Sequence, residues 1–139
     1  MAIILQDWDI RSGLLCASRS TLLAMAPPPG ESGWPVRLLG GRTVMHLAGE
    51  AIACSGVARQ GRHIVDPRLG QPVSSRFRTW AVAPTGAWAD ALSTALMAMS
   101  YDEIVQFGRR RVGTTLATVR AFFQHQPEEP ITEYHFDAA

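Results

Sequence analysis

The chain has 139 residues, 47% of them hydrophobic and 18% charged, with a formal net charge of +1. That is the make-up of one globular domain able to bury a core without disulfide or metal staples; it excludes a disordered chain and lends no support to nucleic acid or an acidic membrane surface as a partner. All 13 basic residues are arginine, which excludes Schiff-base chemistry and a P-loop lysine.

The opening stretch "MAIILQDWDIRSG" carries Asp7 and Asp9 where a signal peptide needs a basic end and an apolar run. No apolar segment is long enough to span a bilayer, so the expectation is a cytoplasmic protein with no membrane span. Cys16 and Cys54 fit no metal spacing and read as buried thiols of a reducing compartment. "GLLCASRSTLLAMA" is compatible with strand, turn and strand, or with a short helix. "PPPGESG" (27–33) is a loop by composition. "WPVRLLGGRTVMHLAG" predicts two strands around a Gly40-Gly41 turn. "EAIACSG" predicts a strand ending at Ser55-Gly56, and "RHIVDP" a further strand stopped by Pro67.

In "RFRTWAVAP", alternation sets Arg76, Arg78, Trp80 and Val82 against Phe77, Thr79 and Ala81, a strand pattern. "TGAWADALSTALMAMS" (85–100) is the clearest helix, with Thr85 as N-cap and an apolar stripe of Trp88, Leu92, Ala95, Leu96 and Met99. A second helix begins near Ser100, where Glu103 completes a capping box. Residues 113–125 fit helix or strand, because their threonines and Val119 are β-branched. "ITEYHFD" (131–137) alternates as a last strand. Strands, then helices, then a strand predict an α+β fold with an antiparallel sheet packed with helices, in a single domain over 1–139.

Asp90 and Thr94 are one helical turn apart and share a face turned away from the apolar stripe. A carboxylate and a hydroxyl so placed offer oxygen ligands to a hard cation such as Mg²⁺; an Asp near a helix start equally complements the helix dipole. His63 and Asp66, at a strand end among turn residues, can form an imidazole–carboxylate pair or an ordinary turn. Arg109–Arg110–Arg111 reads as a solvated helix end. His46, His125 and His135 have no partners at metal spacing and read as structural.

In order and separation, "IACSG" (52–56), "GRHIVDPRLGQPV" (61–73) and "WAVAPTGAWADALSTALMAMS" (80–100) resemble the C-terminal half of the ApbE family, the FAD:protein FMN transferases. That family carries a Thr-Ser-Gly strand end, a His-Ile-Ile-Asp-Pro-x-Thr-Gly-x-Pro-Val stretch and a helix reading Ala-Asp-Ala-Leu-Ala-Thr-Ala-Leu. The resemblance is close over 51–100, looser over 34–50, and one of outline beyond residue 100. It implies Mg²⁺-dependent cleavage of FAD, transfer of FMN to a Thr or Ser hydroxyl of a target flavoprotein, and release of AMP. It puts Asp90 and Thr94 at the metal-ligand positions, with Ser93 adding a backbone oxygen. It gives His63 the role of assisting deprotonation of the acceptor hydroxyl. Ile64 falls where the family touches the flavin, Asp66 and Pro67 shape that loop, and Ser55 and Gly56 fall at the cofactor-binding strand end.

Departures accompany the resemblance. The chain is roughly half the length of an ordinary member, and the family's Met-Gly-Thr stretch lies in the half it does not match. The family's Gly-Gly-Asp turn falls on Ser18-Arg19-Ser20, so close backbone approach and an acidic contact to FAD are not expected there. Cys54 stands for the threonine of Thr-Ser-Gly, Leu69 for that of Pro-Arg-Thr-Gly, and Ser100 for the glycine that ends the helix. Two functions stay open: an FMN transferase, or a catalytically degenerate ApbE-like domain that binds flavin, metal or a partner. A half-fold exposes sheet edge and apolar surface, which predicts a homo-oligomer or a separate subunit carrying the N-terminal half.

Overall fold

The computed structural model describes residues 2–17, 20–42, 44–58, 61 and 63–136. In chain order its elements are α1 (Ala2–Asp7), β1 (Leu14–Ala17), β2 (Thr21–Ala24), β3 (Trp34–Arg37), β4 (Val44–Leu47), β5 (Ala51–Gly56), β6 (Val65–Asp66), β7 (Gln71–Pro72), β8 (Arg78–Ala83), α2 (Gly86–Ala98), α3 (Tyr101–Arg111), β9 (Arg120–Gln124) and β10 (Thr132–Tyr134). Six strands form one sheet in the order β1-β2-β5-β8-β9-β10, with every neighbouring pair antiparallel. The β3–β4 and β6–β7 hairpins stand apart from it. This is the antiparallel α+β architecture that the element pattern predicts.

Strand alternation sends successive side chains to opposite faces, and both faces of this sheet are covered. On one face Ala51, Ala53, Ala81, Ala83, Ala121 and Phe123 pack against Ala89, Leu92 and Leu96 of α2 and Ile104 of α3. The alanines leave room for α2 to lie close to the strands. On the other face Ile52, Trp80, Val82 and Phe122 pack against Leu38, Met45 and Leu47 of the β3–β4 hairpin. Central strand β8 is therefore buried from Thr79 to Ala83. Each fully buried aliphatic side chain here contributes roughly 1.5–3 kcal/mol.

Several local expectations need correction. The helix turns a different stripe to the sheet: Ala89, Leu92, Ser93, Leu96 and Met97 are its buried residues, and Trp88 is 46% exposed. The alanine-lined sheet accepts small residues at the seam, and Ser93 is tolerated there because its polar atoms are bonded. Arg76 precedes β8 and lies buried beneath the end of α2, off the strand, whereas Arg78 stays on the Trp80 face of β8, half-buried, with its guanidinium 4.7 Å from the Phe77 ring centroid and bonded to the Leu39 carbonyl. Arg111 is buried, with its guanidinium 4.6 Å from the Phe136 ring centroid and bonded to the Ala117 carbonyl. Cys16 is exposed and Cys54 half-buried.

The stretch "RHIVDP" contributes only β6, in a two-residue pairing outside the main sheet. Residues 113–125 form a turn and then a strand that starts at Arg120. The last strand is confined to Thr132–Tyr134, and Asp137 lies outside the described residues. The segment "GLLCASRSTLLAMA" carries the paired strands β1 and β2, preceded by the unforeseen α1; Ser18 and Arg19 between the strands lie outside the described residues.

Candidate functional site

Helix α2 is fixed at both ends. Thr85 has extended backbone, and its hydroxyl accepts from the Trp88 N–H, which satisfies one of the orphan donors of the first turn. At the other end the Arg76 guanidinium, itself buried, donates to the carbonyls of Leu96 (3.0 Å), Met97 (3.4 Å) and Met99 (2.7 Å) and lies 5.0 Å from the Phe123 ring centroid. Burial lowers its pKa, and the carbonyls and the negative end of the helix compensate the buried cation. Ser100 then starts α3 with the predicted capping box: its hydroxyl accepts from Glu103 N–H, and Glu103 Oε2 accepts from Ser100 N–H at 2.8 Å.

So held, α2 presents Asp90 and Thr94 on its exposed face, as their spacing predicts, with Ser93 buried behind them. Thr21, at the start of β2, donates to Asp90 Oδ1 at 3.3 Å. Ser55, near the end of β5, lies 2.8 Å from Thr94 Oγ1 and 2.9 Å from Ser93 Oγ. Ser93 Oγ donates to the Asp90 carbonyl at 3.0 Å, and Thr79 donates to the Ser93 carbonyl. A hydroxyl carries one proton, so these contacts have one consistent order. Ser93 donates to the helix, Ser55 donates to Ser93, and Thr94 donates to Ser55. The lone pairs of Thr94 are thereby left to the exposed side, one turn from the Asp90 carboxylate.

Gly56 follows Ser55, and its lack of a side chain is explained inside the protein: a Cβ there would come within 2.7 Å of Arg78 Cγ and 2.8 Å of the Phe77 carbonyl. Cys54, on the opposite face of β5, has its thiol pKa pushed up to about 11 by burial. It lines an apolar cavity of about 160 Å³ with Leu22, Ile52 and Trp80.

His63 lies two residues ahead of β6 and Asp66 within it, and they have different partners. His63 is exposed, with Nδ1 3.1 Å from the Gly61 carbonyl. Asp66 is held by Arg68, not by the imidazole: Arg68 Nε meets Oδ1 at 2.8 Å, Nη2 meets Oδ2 at 2.6 Å, and the Arg68 N–H adds a bond of 2.9 Å to Oδ1. These bonds hold the Asp66 carboxyl down to about 2. Arg68 also bonds Glu103 Oε1 and the Ala98 carbonyl, and with the Ser100 cap it holds Glu103 down to about 2. Ile64 is buried with Val73 and Met97, and its carbonyl accepts from Val73 N–H at 2.9 Å. Pro67 and the Gly70 turn, where φ is +62°, close the hairpin.

The structure thus gathers Asp90, Thr94, Ser93 and Ser55 into one cluster and places His63, Ile64 and Asp66 on a second element. Reading the sequence missed Thr21, Arg68, Arg76 and Thr79. An Asp-x-Arg pair in a tight turn is a local signal for Arg68; Thr21 lies 69 residues from Asp90 and has none.

Every donor in the cluster is a hard oxygen, and the one carboxylate is exposed, a set that fits Mg²⁺ completed by water and phosphate. Among the described residues no three His, Cys, Asp or Glu side chains converge, which does not fit a tight, all-protein metal cage.

The fold is that of the flavin transferases. The flavin transferase ApbE from Vibrio cholerae matches with a TM-score of 0.72 and 20% identity, over 96% of this chain and 45% of that one. The apo flavinyl transferase ApbE of Pseudomonas stutzeri matches at 0.69 and 24% identity, over 95% and 43%. The ApbE protein of Thermotoga maritima matches at 0.67 and 22% identity, over 88% and 43%. The ApbE family profile covers residues 1–118, and the chain belongs to that family. It spans less than half the length of these solved relatives. No curated protein matches it in sequence.

Proposed function

We propose that the chain supplies the cation- and flavin-contacting half of an FMN transferase, acting on FAD and a Thr or Ser hydroxyl of a target flavoprotein. The observation that carries this reading is the ordered hydroxyl chain that leaves the Thr94 lone pairs exposed beside the Asp90 carboxylate. Asp90 and Thr94 would hold Mg²⁺, which would supply neutralisation of the FAD diphosphate, while the Ser93 carbonyl, buried and taken by the Thr79 hydroxyl, anchors the helix behind them. Thr21 and Ser55 orient these ligands. One carboxylate is a weak site alone, so cation and FAD phosphates bind together. His63, exposed just ahead of β6, takes the proton of the acceptor hydroxyl, and the buried Ile64 beside it seats that segment on Met97.

The rest of the pocket belongs to the part of the ApbE fold that this chain does not span. Ile3, Ile4 and Trp8, in the segment that precedes edge strand β1, are 74%, 58% and 78% exposed, which supports completion by a second copy or by a polypeptide carrying the N-terminal half. An exposed Cys16 and a half-buried Cys54 suit a reducing, cytoplasmic site of action. No helix among the described residues is long and apolar enough to cross a membrane.

A degenerate, binding-only role is the second reading, favoured by Ser20 and its two neighbours where the family has Gly-Gly-Asp. AMP release from FAD, followed by chromatography with Mg²⁺ and a threonine peptide as acceptor, separates the two. Transfer predicts AMP and a flavinylated peptide in equal amounts, both lost in His63→Ala and Asp90→Ala. Mg²⁺-dependent FAD binding without AMP would leave the binding role.

A further inference from the structure

Hairpin β6–β7 follows His63 by two residues and shares no ladder with the main sheet. Among the described residues, two attachments join it to the helices. One is apolar: Ile64 and Val73 pack on Met97 of α2. The other is Arg68. Its guanidinium grips both oxygens of Asp66 within the hairpin, then reaches the Ala98 carbonyl at 2.8 Å, at the end of α2, and Glu103 Oε1 in the first turn of α3. Glu103 is itself fixed, because Oε2 takes the Ser100 N–H of the capping box. One planar cation thereby ties the hairpin, the end of α2 and the start of α3 into a single body. A guanidinium suits this because its forked donors engage several acceptors at once, which an ammonium cannot reproduce.

We infer that Arg68 is a positioning residue that sets His63 relative to the Asp90–Thr94 face by locking the β6–β7 hairpin to the α2–α3 junction. This rests on the function proposed above, and nothing in that function assigns Arg68 a role. Arg68 touches neither the cation ligands nor His63 in the structure, so its effect must pass through the hairpin.

The inference predicts a particular split in Arg68→Met. Turnover in AMP release falls roughly tenfold to a hundredfold, as a displaced catalytic group requires, while FAD affinity measured with Mg²⁺ stays within about twofold. Amide hydrogen exchange accelerates over residues 63–73 and is unchanged over 89–96 of α2. Arg68→Lys restores part of the rate, and Glu103→Gln gives a smaller loss that is not additive with Arg68→Met. Unchanged turnover with unchanged exchange at 63–73 would overturn the inference. So would a loss of rate that accompanies faster exchange across the whole chain, since that is a stability effect alone. Should the unmodified protein release no AMP, transfer by this chain alone fails, and exchange at 63–73 still decides whether Arg68 locks the hairpin.

Discussion

Arg76 closes the C-terminal end of α2, and Arg76→Met tests how much the helix depends on it. Methionine keeps the apolar stem near Phe123 and removes the guanidinium. Two short bonds are lost, at 2.7 Å to Met99 and 3.0 Å to Leu96, with a longer one to Met97. Bonds to a charged donor are worth about 1.5–3 kcal/mol each, and a cation near a helix C-terminus adds up to about 2. Against this stands the cost of holding a guanidinium out of water, which the lowered pKa of Arg76 reflects. The carbonyls left behind would be orphaned in a region closed to solvent, so the net loss is about 2–4 kcal/mol. For a chain of this size that lowers Tm by roughly 6–15 °C. Thermal unfolding followed by circular dichroism reads it. A drop of less than about 2 °C would refute the view that Arg76 closes the helix end.

Other predictions follow from the same geometry. Leu96 is fully buried and Trp88 half-exposed, so Leu96→Ala should cost about 2–5 kcal/mol in urea unfolding and Trp88→Ala less than about 1; the reverse order would restore the stripe expected from periodicity. Gly56→Ala forces a Cβ onto Arg78 and the Phe77 carbonyl and should cost about 1–3 kcal/mol, and an alanine variant as stable as the parent would contradict the close approach at that strand end. Asp66 and Glu103 have folded pKa values lowered to about 2, against about 4 unfolded, so their contribution is full above the unfolded value and is lost as pH falls from about 4 towards 2. Hydrogen exchange over 63–73 should therefore keep its protection at pH 5 and lose it near pH 2; loss already between pH 7 and 5 would show that these carboxylates are not held by Arg68.

The elements with strong local grammar were legible in the residues. Thr85 and Ser100 start their helices as read, because caps are settled within three or four residues. The Gly40-Gly41 turn lies between β3 and β4 for the same reason. The Asp90–Thr94 face was readable because α-helical spacing decides it. What was not legible depended on distant chain. The buried face of α2 was misread because sheet alanines, not helix hydrophobicity, select Ala89 and Ser93 as contact residues. Arg76 looks like a surface strand residue until α2 arrives above it. Helix α1 has six residues, and no acidic group in its first turn announces it. Ser55 was readable as a strand end, but its place between Ser93 and Thr94 follows only from the packing of α2 on β5.

The central claim is that Asp90 and Thr94 form a cation site completed by the phosphates of FAD. Calorimetric titration of FAD into the protein, with and without Mg²⁺, addresses it most directly. The account predicts binding that requires Mg²⁺, vanishes in Asp90→Ala and weakens in Thr94→Val, with little Mg²⁺ uptake when FAD is absent. FAD binding that ignores Mg²⁺ or survives Asp90→Ala, or the absence of any Mg²⁺-dependent binding, would contradict it.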